Sequence, residues 1–282
     1  MKQIYILAII LTTIIFFGCD QMDQPLRSTK PTPIDSGNYK KIIIEEYTGF
    51  RCKNCPEASD LAHSLLNQYT NRVIILSVHA GSYAKPTSTH TYDFRTTVGN
   101  DLDAFFAICQ AGNPNGMINR RAVDGARIVP PSKWESGISL FLKELAPVNL
   151  KLTSSYNENT RKIDISCDIK YNQASNPNQY ICLYILEDSI VQYQDDKRQT
   201  PEDVYDYVHE NVLRGSINGT WGDQITASTI PAGEKITKTF SYEIPSDKDW
   251  RCSKLKILAF VHDMNGTYEI LQAEEVPLIP VK

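Results

Sequence analysis

Basic character is what this chain most lacks. Its 29 Lys+Arg are outnumbered by 33 Asp+Glu, a formal net charge of -4 over 282 residues, and no Lys/Arg run forms a stripe. Nucleic acid is excluded as a ligand on that ground, because binding phosphates needs a positive field. A membrane-spanning run is missing as well. The N-terminal apolar stretch, Ile4 to Phe17, covers fourteen residues, against the roughly twenty that a bilayer core requires. There is no second CxxC and no clustered His pair, so a zinc site from Cys52, Cys55, Cys109 and His79 is disfavoured, and neither metal nor cofactor is expected. What is present is ordinary: 41% hydrophobic and 22% charged residues suffice for a sizeable core and argue against general disorder. At roughly 100–200 residues per domain, the length suggests two domains.

Lys2, the apolar run and Gly18-Cys19 read as a signal peptide over residues 1–18. A Cys directly after the small residue resembles a bacterial lipobox, although Phe16 stands where Leu is commoner. The resemblance implies cleavage before Cys19 and acylation of its thiol, which makes a lipoprotein whose first partner is a membrane. Residues 19–38 carry Pro25, Pro31 and Pro33 among polar neighbours, too little apolar surface to order a segment, and are expected to be a flexible tether. Asp20 resembles an inner-membrane retention signal of some Gram-negative bacteria, while acidic residues near the lipidated Cys direct surface export in other lineages; both leaflets remain compatible.

The folded part opens with Lys41 to Tyr47, where Ile42, Ile43 and Ile44 make a run suited to a strand covered on both faces. Thr48 to Arg51 turn the chain into Cys52-Lys53-Asn54-Cys55-Pro56. Ala58, Leu61, Ala62, Leu65, Leu66 and Tyr69 then recur on one helical face, and Arg72 to Ala80 reads as a second buried strand. A CxxC at the first strand-to-helix junction of a βαβ unit resembles the thioredoxin fold. Such proteins keep a cis-Pro before a short strand facing the CxxC, and Pro114 in Gly112-Asn113-Pro114-Asn115-Gly116 is the candidate; a plain trans turn proline is the base-rate alternative. Ser132-Lys133-Trp134-Glu135 has capping-box spacing ahead of a closing helix ended by Pro147. The polar segment Gly81 to Gly99 is an insertion, either functional or mobile.

From Val148 the period changes to two. Ile163, Ile165, Cys167 and Ile169 alternate with charged residues, and further strand-like runs follow at 149–156, 180–187, 235–244, 255–263 and 268–274. They indicate an immunoglobulin-like β-sandwich over residues 147–282, after an α/β thioredoxin-like domain over 39–146. Thr200-Pro201 is read as opening a short helix with Val204, Tyr207, Val208 and Val212 on one side. The lipobox Cys19, the Glu46 to Pro56 run, Val78 to Gly81, the Gly112 to Arg120 run and Tyr207 to Arg214 together resemble the outer-membrane protein twenty-eight family of Gram-negative lipoproteins. That resemblance implies a cell-envelope, outer-membrane location and little about activity.

The chemistry these residues offer is thiol–disulfide exchange. Cys52 at a helix start, beside Arg51 and Lys53, is the expected nucleophile, and Cys55 the resolving thiol. Glu46, six residues before Cys52, occupies the place where thioredoxins keep a buried acid that deprotonates the resolving thiol. The partner would be a protein thiol or disulfide. The alternative is a closed, inert disulfide stapling a non-enzymatic, surface-exposed binding or adhesion lipoprotein, whose partner would be a surface ligand. Cys109 and Cys167 are expected to pack as small hydrophobes, and Cys182 and Cys252 could pair with Cys167 or with each other. His79, at a strand end, and His209, on the short helix, are the histidines to watch, with a satisfied structural hydrogen bond as the default role.

Overall fold

The computed structural model describes residues 39–281. The signal peptide at 1–18, Cys19 and the tether at 19–38 lie outside the described residues. The described chain is mostly β-sheet, with three α-helices: α1 (Cys55–Gln68), α2 (Thr97–Phe106) and α3 (Trp134–Phe141).

Strand β1 (Ile42–Thr48) is buried from Ile42 to Tyr47 because it has neighbours on both edges and both faces. It runs parallel to β2 (Val73–His79), Ile42 opposite Val73 and Thr48 opposite His79. It runs antiparallel to β3 (Asn115–Ile118), Tyr47 opposite Asn115. Ile42 and Ile44 face Ala58, Ala62 and Leu65 of α1 and Trp134, Ile138 and Phe141 of α3. Ile43 and Tyr47 point to the other side. Helix α3 begins at Trp134 with no side-chain cap, since Ser132 lies inside a preceding 3-10 turn; the expected capping box does not form. Helix α2 stops at Ala107 in the left-handed region (φ 59°), so Cys109 sits half-buried in a following turn.

The sheet does not end at β2. Strand β9 (Val212–Ser216) lies parallel beside it, Ser77 opposite Val212, and the Ser77 N–H donates to the Asn211 carbonyl at 3.0 Å. Beyond β9 come β6 (Gln179–Glu187), β12 (Leu255–Asp263) and β13 (Ile270–Pro277), and the short β10 (Asp223–Gln224) pairs with β6 off this path. One sheet, in the order β13-β12-β6-β9-β2-β1-β3, therefore continues across residue 147. Its inward faces line one core: Ile43, Leu76, Met117, Tyr184, Leu213 and Phe260 all belong to it. The two edges meet where the Ile270 N–H donates to the Asn119 carbonyl at 3.0 Å.

A second sheet, β11 (Lys235–Glu243), β5 (Lys162–Tyr171), β4 (Val148–Asn157) and β14 (Pro280–Val281), packs its Ile163, Ile165, Cys167 and Ile169 on the outer faces of β6 and β12. Strands β6 and β12 are thus buried on both faces: Ile181, Leu183 and Ile185 face this core, while Cys182, Tyr184 and Leu186 face the other. That placement separates Cys182 from Cys167 and Cys252, and Cys109, Cys167, Cys182 and Cys252 are all unbonded.

The expected helix after Thr200-Pro201 is corrected. Residues Asp203–His209 form strand β8, antiparallel to β7 (Ile190–Asp195) with Val191 opposite Val208, and Val212 already belongs to β9. Val204, Tyr205, Tyr207 and Val208 are β-branched or aromatic, which favours a strand once a partner is available. The Gly81 to Gly99 segment is also no loose insertion. Its Tyr92 and Phe94 pack with Phe50, Ile190 and Tyr193 against the β7–β8 hairpin.

Because the core behind β2 is filled from β6, β9 and β12, fragments 39–146 and 147–282 expressed separately should each expose an apolar face and fail to melt cooperatively. The whole chain should melt in one calorimetric transition. Two independent cooperative transitions would contradict the shared sheet.

Candidate functional site

Strand β1 delivers its chain to the CxxC through a turn that only glycine fits: a Cβ on Gly49 would lie 2.5 Å from the Tyr83 carbonyl carbon and 2.6 Å from the Ala84 nitrogen. The Cys52 N–H donates to the Gly49 carbonyl at 2.9 Å and the Cys55 N–H to the Cys52 carbonyl at 3.0 Å, so helix α1 starts at Cys55, one turn after Cys52. Cys52 and Cys55 are bonded to each other, and each is only 3% exposed.

The end of the β7–β8 hairpin buries them. The Asp195 N–H donates to the Phe50 carbonyl at 2.7 Å, the Lys197 N–H to the Lys53 carbonyl at 3.1 Å and Gln194 Nε2 to the Cys52 carbonyl at 3.2 Å. Around this seam, Lys53 pairs with Glu202, Lys197 with Glu57 (2.8 Å) and Arg198 with Asp60 (2.5 Å). These ion pairs face solvent and add little by themselves, so the backbone contacts and the aromatic packing at Phe50 carry most of the closure. The cations expected to flank Cys52 are committed elsewhere: Lys53 to Glu202, and Arg51 to the Ser82 carbonyl.

Behind the disulfide, on the face of β1 that meets α1, lies Glu46, 4% exposed. Burial pushes its carboxyl up to about 7, although hydrogen bonds from Ser77 and Ser59 pull the other way. Glu46 and Cys55 line one small cavity together with Ser59, Ser77, His79 and His209. His79 stacks on Phe94 (ring centroids 4.3 Å apart) and stands 5.4 Å from His209. Neither histidine is satisfied as expected: His79 Nδ1 and His209 Nε2 have no hydrogen-bond partner among the described residues. The peptide Asn113-Pro114 is cis and leads directly into Asn115, opposite Tyr47, so Pro114 stands at the sheet end from which the CxxC departs.

Sequence reasoning located Glu46, Cys52, Cys55 and Pro114 near one another and singled out both histidines. It missed Ser59, Ser77 and the covering Gln194. Only the Asp195 to Arg198 charge cluster hinted at the cover, and charge clusters are ordinarily solvated surface.

A sequence profile described as Outer membrane protein Omp28 matches residues 103–278, more than half of the chain. This chain belongs to that family. Among solved structures, HBP35 of Porphyromonas gingivalis is 18% identical, with 86% of this chain and 76% of that one covered and a TM-score of 0.60. A protein from Agrobacterium tumefaciens is 11% identical over 86% of this chain and 97% of its own, with a TM-score of 0.53. A domain of the outer membrane lipoprotein Omp28 from Porphyromonas gingivalis is 22% identical, covering 49% of this chain and 92% of its own at a TM-score of 0.31. At these identities the likeness to the first two is one of fold. No curated protein matches. The Omp28 membership makes this a cell-envelope protein, and among the described residues no helix is long and apolar enough to cross a membrane.

The buried Glu46 has a measurable cost. Its folded pKa lies above the ordinary 4.5, so the native state holds the proton more tightly than the unfolded chain. The penalty is absent below about pH 4.5, grows as pH rises and is complete above about pH 7. Glu46→Gln should therefore stabilise the protein above pH 7, by about 3 kcal/mol, with the gain vanishing toward pH 4. Denaturant titrations at several pH values measure this, and a pH-independent difference would contradict it.

Proposed function

We propose that this Omp28-family chain is a lipid-anchored envelope protein whose thioredoxin-like module, residues 39–146, carries out thiol–disulfide exchange with protein partners through its Cys52–Cys55 pair, in the direction set by the partner. An immunoglobulin-like sandwich, residues 147–282, carries and partly covers that module, and Cys19 bears the anchor. The observation that supports exchange most is Glu46. A disulfide serving only as a staple gains nothing from a carboxyl buried behind it, held by hydroxyls alone and poised near neutral pH. Supporting it further are the strand, CxxC, helix and parallel strand in succession, and a cis-Pro at the same sheet end.

Written in the reducing direction, and reversible step by step, the Cys52 thiolate of the reduced protein attacks one sulfur of a substrate disulfide and expels the other as a thiolate, which takes a proton. The Cys55 thiol then gives its proton to Glu46, and its thiolate attacks Cys52 Sγ. That closes Cys52–Cys55 and releases the second substrate thiolate, which is protonated in turn. Two electrons pass from the cysteine pair to the substrate. Entry requires the tip of the β7–β8 hairpin to lift, since both sulfurs are closed off from solvent.

That closure also favours a second reading, in which Cys52–Cys55 is a permanent staple in a non-enzymatic binding lipoprotein. Single variants separate the two. Under exchange, Cys52→Ala abolishes insulin-disulfide reduction, while Cys55→Ser traps mixed disulfides through Cys52. Under the staple reading the two variants lose the same stability and trap no adduct, and the wild type is inactive.

A further inference from the structure

Behind Cys55 the structure keeps a cavity of about 20 Å³, room for one water and no more. Two elements far apart in sequence close it. His79 ends β2, and His209 ends β8, brought beside it by the pairing of β9 with β2. Both imidazoles are more than nine-tenths buried, at 3% and 5% exposure, and each presents one ring nitrogen without a partner among the described residues. Buried polar atoms are rarely left unpaired, and two such atoms on residues lining one cavity call for one shared explanation.

We propose that His79 and His209 are positioning residues that hold a single buried water against Glu46, and that this water sets how readily the carboxyl takes and returns a proton. The catalytic use of that proton rests on the exchange reading above; the water does not.

The hydrogen bonds can be counted. Backbone hydrogen bonds with Gln192 and Tyr193 raise His209; because Nε2 is the ring nitrogen without a partner among the described residues, we assign the ring proton to Nδ1, which leaves Nε2 as an acceptor in the neutral ring. A water that donates to His209 Nε2 has its second proton for Glu46 and its lone pairs for the Nδ1–H of His79. Three partners satisfy it. Ser77 already donates to Glu46 Oε1, but a carboxylate accepts several bonds, so capacity for the water remains.

Burial keeps both histidines uncharged: it lowers His209 to about 4, and His79 falls well below its ordinary value through burial and then the nearby His209 and Arg214. The other ionisable groups facing the cavity are Tyr207 from β8 and Glu210 after it, with the charge of Asp60 acting on Glu46 from α1, while Cys55 is held in the disulfide. Tyr207 is pushed up to about 12 by burial and does not titrate near neutrality. Replacing an imidazole therefore removes a hydrogen-bonding atom and no charge.

The test follows the Glu46 side-chain carboxyl by carbon-13 NMR through a pH titration of the oxidised full mature chain, a measurement that needs no thiol exchange. His209→Phe fills the same space without an acceptor, so Glu46 loses a bond to its ionised form and its midpoint should rise by roughly one pH unit, about a tenfold loss of acidity. His209→Gln, whose amide oxygen can hold the water, should return the midpoint toward wild type. An unchanged midpoint in His209→Phe, or no rescue by Gln, overturns the proposal. Should the variants fold poorly, the wild type decides: cross-relaxation from a long-lived water to the His79 and His209 ring protons supports it, and its absence overturns it. If the titrations behave as expected while the wild type reduces no disulfide, the exchange reading fails and the water stands.

Discussion

The candidate site depends on β9 lying beside β2. The pairing of Val212 with Ser77 spans nearly half of the sequence yet fixes where the β7–β8 hairpin can go, because the hairpin is the connection between β6 and β9. From that register follow the closure of Gln194 over Cys52, the ion pairs of residues 197–202 with α1 and its approach, and the meeting of His209 with His79. A thiol–disulfide pair on an isolated α/β unit would be open to solvent. Here the rest of the chain covers it.

Two adjacent carboxylates on β1 show how the surroundings divide roles. Glu45 points into the shared core and meets the Arg120 guanidinium through bonds of 2.7 to 3.1 Å, an ion pair in which neither side chain reaches solvent. A carboxylate so matched is a structural anchor, costly to break by removing either partner alone. Glu46 points the opposite way, toward α1, where hydroxyls bond it and no cation faces it among the residues lining its cavity. With no cation to compensate for lost hydration, burial raises the pKa of Glu46. The alternation of strand faces alone produces that difference.

How much of this was legible depended on range. The run Ile42 to Ile44, the CxxC and the helix at Ala58 to Tyr69 are local patterns, and β1, α1 and β2 lie close to where those patterns place them. The alternation Ile163 to Ile169 likewise fixes β5 and its inner face. Val204, Tyr207, Val208 and Val212 fit a helical stripe as well as a strand, which is why the local pattern predicts a helix there; the deciding factor for 203–209, the partner β7, lies outside any local window. The double burial of β6 was visible as the unbroken run Tyr180 to Leu186, yet nothing local says that its second face would meet β1 and β2. Cavity neighbours such as Ser59 and Ser77 carry no signature, since serine is ordinary on helix and strand alike.

The central claim is that the covered Cys52–Cys55 pair is a working couple. Its reduction potential tests that most directly, measured on the full mature chain equilibrated against a graded series of thiol–disulfide buffers, with the free Cys52 and Cys55 thiols counted by mass spectrometry. The account predicts a value above about -270 mV, where a poised, proton-assisted pair can give and take electrons within the envelope. A potential below about -300 mV would mark a permanent structural disulfide and contradict it.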